Sequence, residues 1–159
     1  MIHSLNEPAV FHSFFSRQSF LTKLDEERFV RTSHTALKGG DRLSLVITLR
    51  GTENVIGVIV LTITDWENGC AQIGYWLGRP YWHVGYGSEA TSTVCETAFR
   101  DLSLHRIGAT VFPSNLRSMK LLRRLGFKKE GRRRETHLRG KKRVDEVLFG
   151  LLAGDFRRF

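Results

Sequence analysis

The residues best suited to chemistry begin with Gly85-Tyr86-Gly87-Ser88-Glu89-Ala90, a glycine-rich turn that opens a helix-forming run. Glycine at 85 and 87 lets backbone N–H groups approach a pyrophosphate closely and adopt dihedrals that a Cβ forbids. The unpaired N–H groups and positive dipole end of the following helix attract the same anion. Taken alone, a G-x-G turn before a helix is equally well explained as an ordinary structural turn. Farther along, Asn115 and Ser118 stand one helical turn apart and face the same way. Asn115 suits a helix N-cap, and both side chains can hydrogen-bond a ligand lying beside the helix. Glu135 and His137 are same-facing neighbours on a strand-like run. Either could take a proton, the imidazole most readily near neutral pH, although a strand residue amid arginines needs no chemical role.

The surrounding pattern must place these groups. Asp25 to Lys38 reads as a helix, with Asp25 as cap, acidic residues in its first turn and Gly39-Gly40 at its end. Leu43–Leu49, Val55–Thr64 and Cys70–Leu77 read as strands joined by short turns, an antiparallel meander. The middle run is nearly unbroken in β-branched residues, as for a strand buried on both faces. The period then changes. Ala90, Val94, Ala98 and Leu102 recur every fourth residue, so Gly85–Leu102 reads as a turn and a helix. Ile107–Phe112 reads as a strand and Asn115–Leu125 as a short amphipathic helix stopped by Gly126. Phe127–Leu138 and Val144–Leu152 form a strand pair around Arg139-Gly140-Lys141-Lys142. This order predicts a mixed α/β layer protein rather than a doubly wound parallel one.

Bulk properties narrow the function classes. A chain of 159 residues is most simply one domain, 1–159, large enough to bury a core. No apolar run approaches the ~20 residues of a membrane span. The first twenty positions lack a signal-peptide pattern, so the expectation is a cytoplasmic protein with no membrane partner. Cys70 and Cys95 supply neither a disulfide framework nor a metal-ligand cluster, and no metal is expected. The net charge of +9 is uneven: nine basic and two acidic residues lie between Lys128 and Arg143. That segment favours a polyanion such as RNA, an acidic protein surface or a cofactor phosphate, or else is a solvated basic face. It holds no Phe, Tyr or Trp on which bases could stack.

The motifs resemble a known family. Ile73-Gly74-Tyr75-Trp76-Leu77, then Tyr81-Trp82, Gly85-Tyr86 and Glu89-Ala90 are similar to the RimJ/RimL-type branch of the GNAT N-acetyltransferases. Asn115, Ser118, Leu121-Leu122, Leu125-Gly126-Phe127 and Glu130-Gly131 match that branch's N-x-x-S-x-x-L-L-x-x-L-G-F-x-x-E-G pattern throughout. The resemblance runs from about Leu43 to Phe156. It implies the GNAT acyl-CoA N-acyltransferase fold, a central, mostly antiparallel sheet with helices on both faces. The family's usual first strand is absent from the opening residues. One departure stands out: His83 and Val84 replace the Gly-Lys that the branch carries before Gly85-Tyr86. A protonated His83 would restore part of the lost charge.

The resemblance also implies a reaction. Acetyl-CoA is the cosubstrate, with its pyrophosphate on the main chain of His83, Val84, Gly85, Tyr86, Gly87 and Ser88. Its pantetheine arm lies along Tyr75, Trp76 and Leu77, beside Asn115 and Ser118. A strand bulge would free the Leu77 N–H to meet the thioester oxygen. Ser118 would hydrogen-bond the departing sulfur. His137 aligns with a branch glutamate and becomes the candidate base, while Glu135 is expected to pair with Arg132 or Arg134. Asp145 and Glu146 follow a branch pattern that is structural. The expected acceptor is a protein N-terminal amine of the ribosomal-protein-alanine type. About a tenth of such an amine is neutral at pH 7, whereas deprotonating a lysine at that pH costs about 4–5 kcal/mol. The alternatives are a small-molecule amine (polyamine, amino acid or aminoglycoside), or a non-catalytic acyl-CoA- or RNA-binding module. Either a monomer or a homodimer is compatible with the pattern.

Overall fold

The computed structural model describes residues 40–158 apart from Glu53. The helix expected over Asp25–Lys38 and the expected lack of a first strand both fall outside the described residues. Among the described residues, six strands form one sheet: β1 (Arg42–Thr48), β2 (Val55–Asp65), β3 (Cys70–Leu77), β4 (Arg106–Val111), β5 (Lys128–Arg139) and β6 (Lys142–Leu152). Helix α1 (Tyr86–Arg100) joins β3 to β4, and helix α2 (Leu116–Arg124) joins β4 to β5. The spatial order is β1-β2-β3-β4-β6-β5, antiparallel throughout except where β3 runs parallel to β4. The expected elements are thus all found after residue 40.

Pleating decides which side chains enter the core. Ile59 and Leu61, Ala71 and Ile73, Ile107 and Ala109, Val147 and Phe149 lie on one face in register. They form one buried cluster with Val94, Cys95 and Ala98 of α1 and Met119 and Leu122 of α2. Both described helices therefore cover the same face. Cys95 is fully buried and its thiol is pushed up to about 12 by that burial, so it packs as a small apolar group. Helix α2 ends in a Schellman motif: Phe127 N–H reaches the Leu122 carbonyl and Gly126 N–H that of Arg123, with Gly126 at φ 98°. No described helix is long and apolar enough to cross a membrane.

The feature that makes a site is a parting of the sheet. Pairing between β3 and β4 covers only Cys70↔Arg106, Ala71↔Ile107 and Gln72↔Gly108. Beyond Gln72 the two strands diverge, and the ends of β3 and β4 leave a gap in the middle of the sheet.

Candidate active site

The chain leaves β3 through a one-turn 3-10 helix at Arg79–Tyr81 and folds Trp82 back, so that Nε1 donates to the Leu77 carbonyl at 2.8 Å. The Arg117 guanidinium of α2 lies 3.8 Å over the Trp82 ring, which ties this loop to the helix. His83 (φ 68°) and Gly85 (φ 97°) then take left-handed conformations that turn the chain into α1. The Gly85 carbonyl first accepts from Glu89 N–H, at 3.0 Å. The N–H groups of Tyr86, Gly87 and Ser88 therefore project from the helix start with no acceptor among the described residues. Gly87 serves packing as well. A Cβ there would stand 3.0 Å from Leu77 Cδ1 and 3.4 Å from Leu121 Cδ1, so the helix start sits close against both β3 and α2.

These amides border an open cleft of about 570 Å3 between the end of β3, the turn and α2. Of the residues expected to hold a cofactor, Tyr75, Trp76, Leu77, His83, Gly85, Gly87, Ser88, Asn115 and Ser118 line it. Val84 and the Tyr86 side chain do not; Val84 points into solvent at 61% exposure. Helix α2 adds cations that sequence reasoning missed: Arg117, Lys120 and Arg124 line the cleft. Their spacing of three and four residues places them on one helix face, a signal present in the sequence but eclipsed by the larger Lys128–Arg143 cluster.

Leu77 is placed as expected but for a different reason. Strand β3 keeps unbroken register with β2 from Ala71 to Leu77, so there is no bulge at this end. Gly78 N–H bonds the Ile56 carbonyl across to β2 at 2.9 Å. By antiparallel alternation, the Leu77 N–H and carbonyl face the other way, toward the gap beside β4. Trp82 takes the carbonyl. The N–H is aimed at the gap by the parting of the strands.

At the inner end of the cleft, Tyr75 Oη and Ser118 Oγ are 2.9 Å apart. Asn115 caps α2 by accepting the Ser118 N–H on Oδ1 at 3.1 Å. Burial drives the Tyr75 phenol well above its ordinary range, so it stays protonated and is no base, and either hydroxyl of the pair can donate.

A second cavity of about 230 Å3 continues from this point through the sheet gap. Tyr75, Asn115 and Ser118 line both spaces, and the far wall carries His137 and Glu146. Glu146 is 6% exposed, accepts from Arg133 Nε at 3.0 Å, and lies 3.0 Å from His137 Nε2. The Phe112 ring meets the His137 ring edge-on, with centroids 5.2 Å apart. Glu135 is not beside His137 in a regular strand. The register jumps between Arg133↔Glu146 and His137↔Val144, so residues 134–136 bulge out opposite Asp145. Glu135 sits at φ 53° and its N–H donates to Asp145 Oδ1 at 2.8 Å. The expected partner of Arg132 is corrected too: it bonds Asp145 rather than Glu135.

A mostly antiparallel sheet parted between a meander and a parallel strand, with a glycine turn opening a helix at the gap, is the GNAT fold. Comparison with known proteins agrees. The family described as "Acetyltransferase (GNAT) domain" matches residues 2–128, and the chain belongs to it. The match reaches farther toward the N-terminus than the motifs did. The chain is 39% identical over 116 residues to the uncharacterized N-acetyltransferase p20 of Bacillus licheniformis, covering 73% of this chain and 64% of that protein. It is 36% identical over 84 residues to the [ribosomal protein uS5]-alanine N-acetyltransferase of Escherichia coli, covering 53% of this chain and 43% of that protein. In structure it is similar to Mycobacterium smegmatis RimJ, solved in complex with CoA-disulfide, with a TM-score of 0.75 and 26% identity over 82% of this chain and 62% of that one. The chain thus spans less than two thirds of the length of each of these relatives.

Proposed function

We propose that this protein transfers an acetyl group from acetyl-CoA directly to a primary amine, and that the amine is the N-terminus of a protein chain. The observation that carries the reading is the line of free amides at Tyr86–Ser88, set at the mouth of a cleft that leads to the Tyr75–Ser118 hydroxyl pair and on through the sheet. The pyrophosphate sits on those amides at the positive end of α1, with Arg117, Lys120 and Arg124 supplying countercharge. The thioester lies in the gap, where the Leu77 N–H meets its oxygen as charge develops. The amine enters from the far side of the sheet, and Ser118 hydrogen-bonds the departing sulfur. A thiol needs little help to leave at its ordinary pKa near 8.5, so stabilisation of the thiolate suffices.

Charge favours a protein terminus over a polyamine. Glu146 is the carboxylate in the second cavity's wall, and Arg133 and His137 already occupy it. A polycation would meet strands whose basic residues outnumber the acidic ones, along β5 and β6. An α-amine is also partly neutral at pH 7 and suits a site without a strong base. The test is thiol release from acetyl-CoA across a panel of peptides with free N-termini, polyamines, amino acids and aminoglycosides. Turnover on peptides above the small amines is expected. Turnover confined to small amines would refute the acceptor, and tight acetyl-CoA binding without any transfer would refute the activity.

A further inference from the structure

The geometry points to Glu146 as a positioning residue that fixes the tautomer of His137 and so presents a basic Nδ1 to the acceptor amine; this rests on the acetyl-transfer reading above. In the register of β6, Val147 and Phe149 face the helices, so Glu146 faces the opposite side of the sheet, where the second cavity opens. A buried carboxylate is costly unless it is paired and hydrogen-bonded, and this one has both oxygens engaged. Oε1 takes Arg133 Nε and Oε2 lies 3.0 Å from His137 Nε2. With Oε1 accepting from Arg133 Nε, a carboxylate at Glu146 offers only acceptors, so the bond is donated by Nε2–H. A neutral imidazole with its proton on Nε2 carries its lone pair on Nδ1.

The bulge before His137 serves the same arrangement. The Asp145 carboxylate holds Arg132 and the Glu135 N–H, which fixes three residues opposite one and sets where His137 re-enters the ladder. The Phe112 ring restrains the imidazole from the side. In the transfer step the amine nitrogen attacks the thioester carbonyl and forms the C–N bond. Nδ1 takes a proton from that nitrogen, the C–S bond breaks, and the sulfur leaves as thiolate. The resulting imidazolium is stabilised by the Glu146 charge, as a carboxylate stabilises other catalytic imidazoles.

Long-range 1H–15N correlation of the His137 ring in the wild-type protein, at a pH where the ring is neutral, reads the tautomer without any variant. Nε2–H is expected, and Nδ1–H would overturn the inference. In kinetics, Glu146→Gln is expected to lower kcat about tenfold or more while leaving KM for acetyl-CoA within twofold. Glu146→Gln combined with His137→Asn should fall no further than His137→Asn alone. Wild-type kcat in Glu146→Gln, or a further drop in the double variant, would overturn it. If no acceptor is acetylated at all, the functional reading fails, while the tautomer measurement still decides this one.

Discussion

Removing the Tyr75 hydroxyl by Tyr75→Phe tests whether Ser118 works as part of a pair. Tyr75 is partly buried on β3, and its Oη is 2.9 Å from Ser118 Oγ. A net hydrogen bond of this kind contributes about 0.5–1.5 kcal/mol. A 1 kcal/mol change moves Tm by roughly 2–4 °C in a protein of this size, so Tyr75→Phe should lower Tm by roughly 1–6 °C. The kinetic consequence is larger for Ser118. A hydrogen bond to a charged group is worth about 1.5–3 kcal/mol, so Ser118→Ala should lower kcat roughly 10- to 100-fold at the 1.36 kcal/mol per decade conversion. On the proposed reading Tyr75 acts on the sulfur through Ser118, so its effect on kcat should vanish in the Ser118→Ala background. The assay is thiol release at saturating acetyl-CoA for the wild type, both single variants and the double, with Tm measured on all four. Multiplicative losses in kcat would refute the pairing, because each hydroxyl would then act on its own.

Gly85 takes φ 97° with nothing near its missing Cβ, so Gly85→Ala meets backbone strain alone, about 1–2 kcal/mol. It should lower Tm modestly and raise KM for acetyl-CoA, and an unchanged KM would show that the turn's shape does not set the phosphate grip. Leu122 is fully buried on the core-facing side of α2, and Leu122→Ala should destabilise by about 2–5 kcal/mol in a urea titration. Glu130 is held below its ordinary value of 4.5 first by its hydrogen bonds from Arg106, and Asp145 below 3.8 first by the Glu135 N–H. Both folded-state values are depressed. Their contribution is therefore present above about 4.5 and is lost as pH falls through the lower folded values. Urea midpoints should drop in that acid window, and Glu130→Gln together with Asp145→Asn should flatten the drop.

How much of this was legible in the sequence depended on distance along the chain. Strand β3 was read to the residue, because its alternation and flanking turns are local. The Asn115–Gly126 helix was equally plain, with cap, core positions and stop all within one segment. The bulge at residues 134–136 was not legible, because it exists only in the register between two strands and is held by Asp145 on the other. For the same reason Glu146 read as structural, although its carboxylate proves to lie against His137. The hydroxyl pair of Tyr75 and Ser118 joins a strand to a helix 43 positions away, and nothing local announces it. Leu77 was expected at this place because of a bulge, and the strand has none there. The structure exposes its N–H by parting two strands instead, a property of the sheet rather than of the residue.

The central claim is most directly tested by following backbone amide 1H–15N resonances while CoA is added. The account predicts that Tyr86, Gly87 and Ser88 show the largest shifts, with Leu77, Asn115 and Ser118 following. Saturable CoA binding that leaves those three helix-start amides unmoved would contradict it.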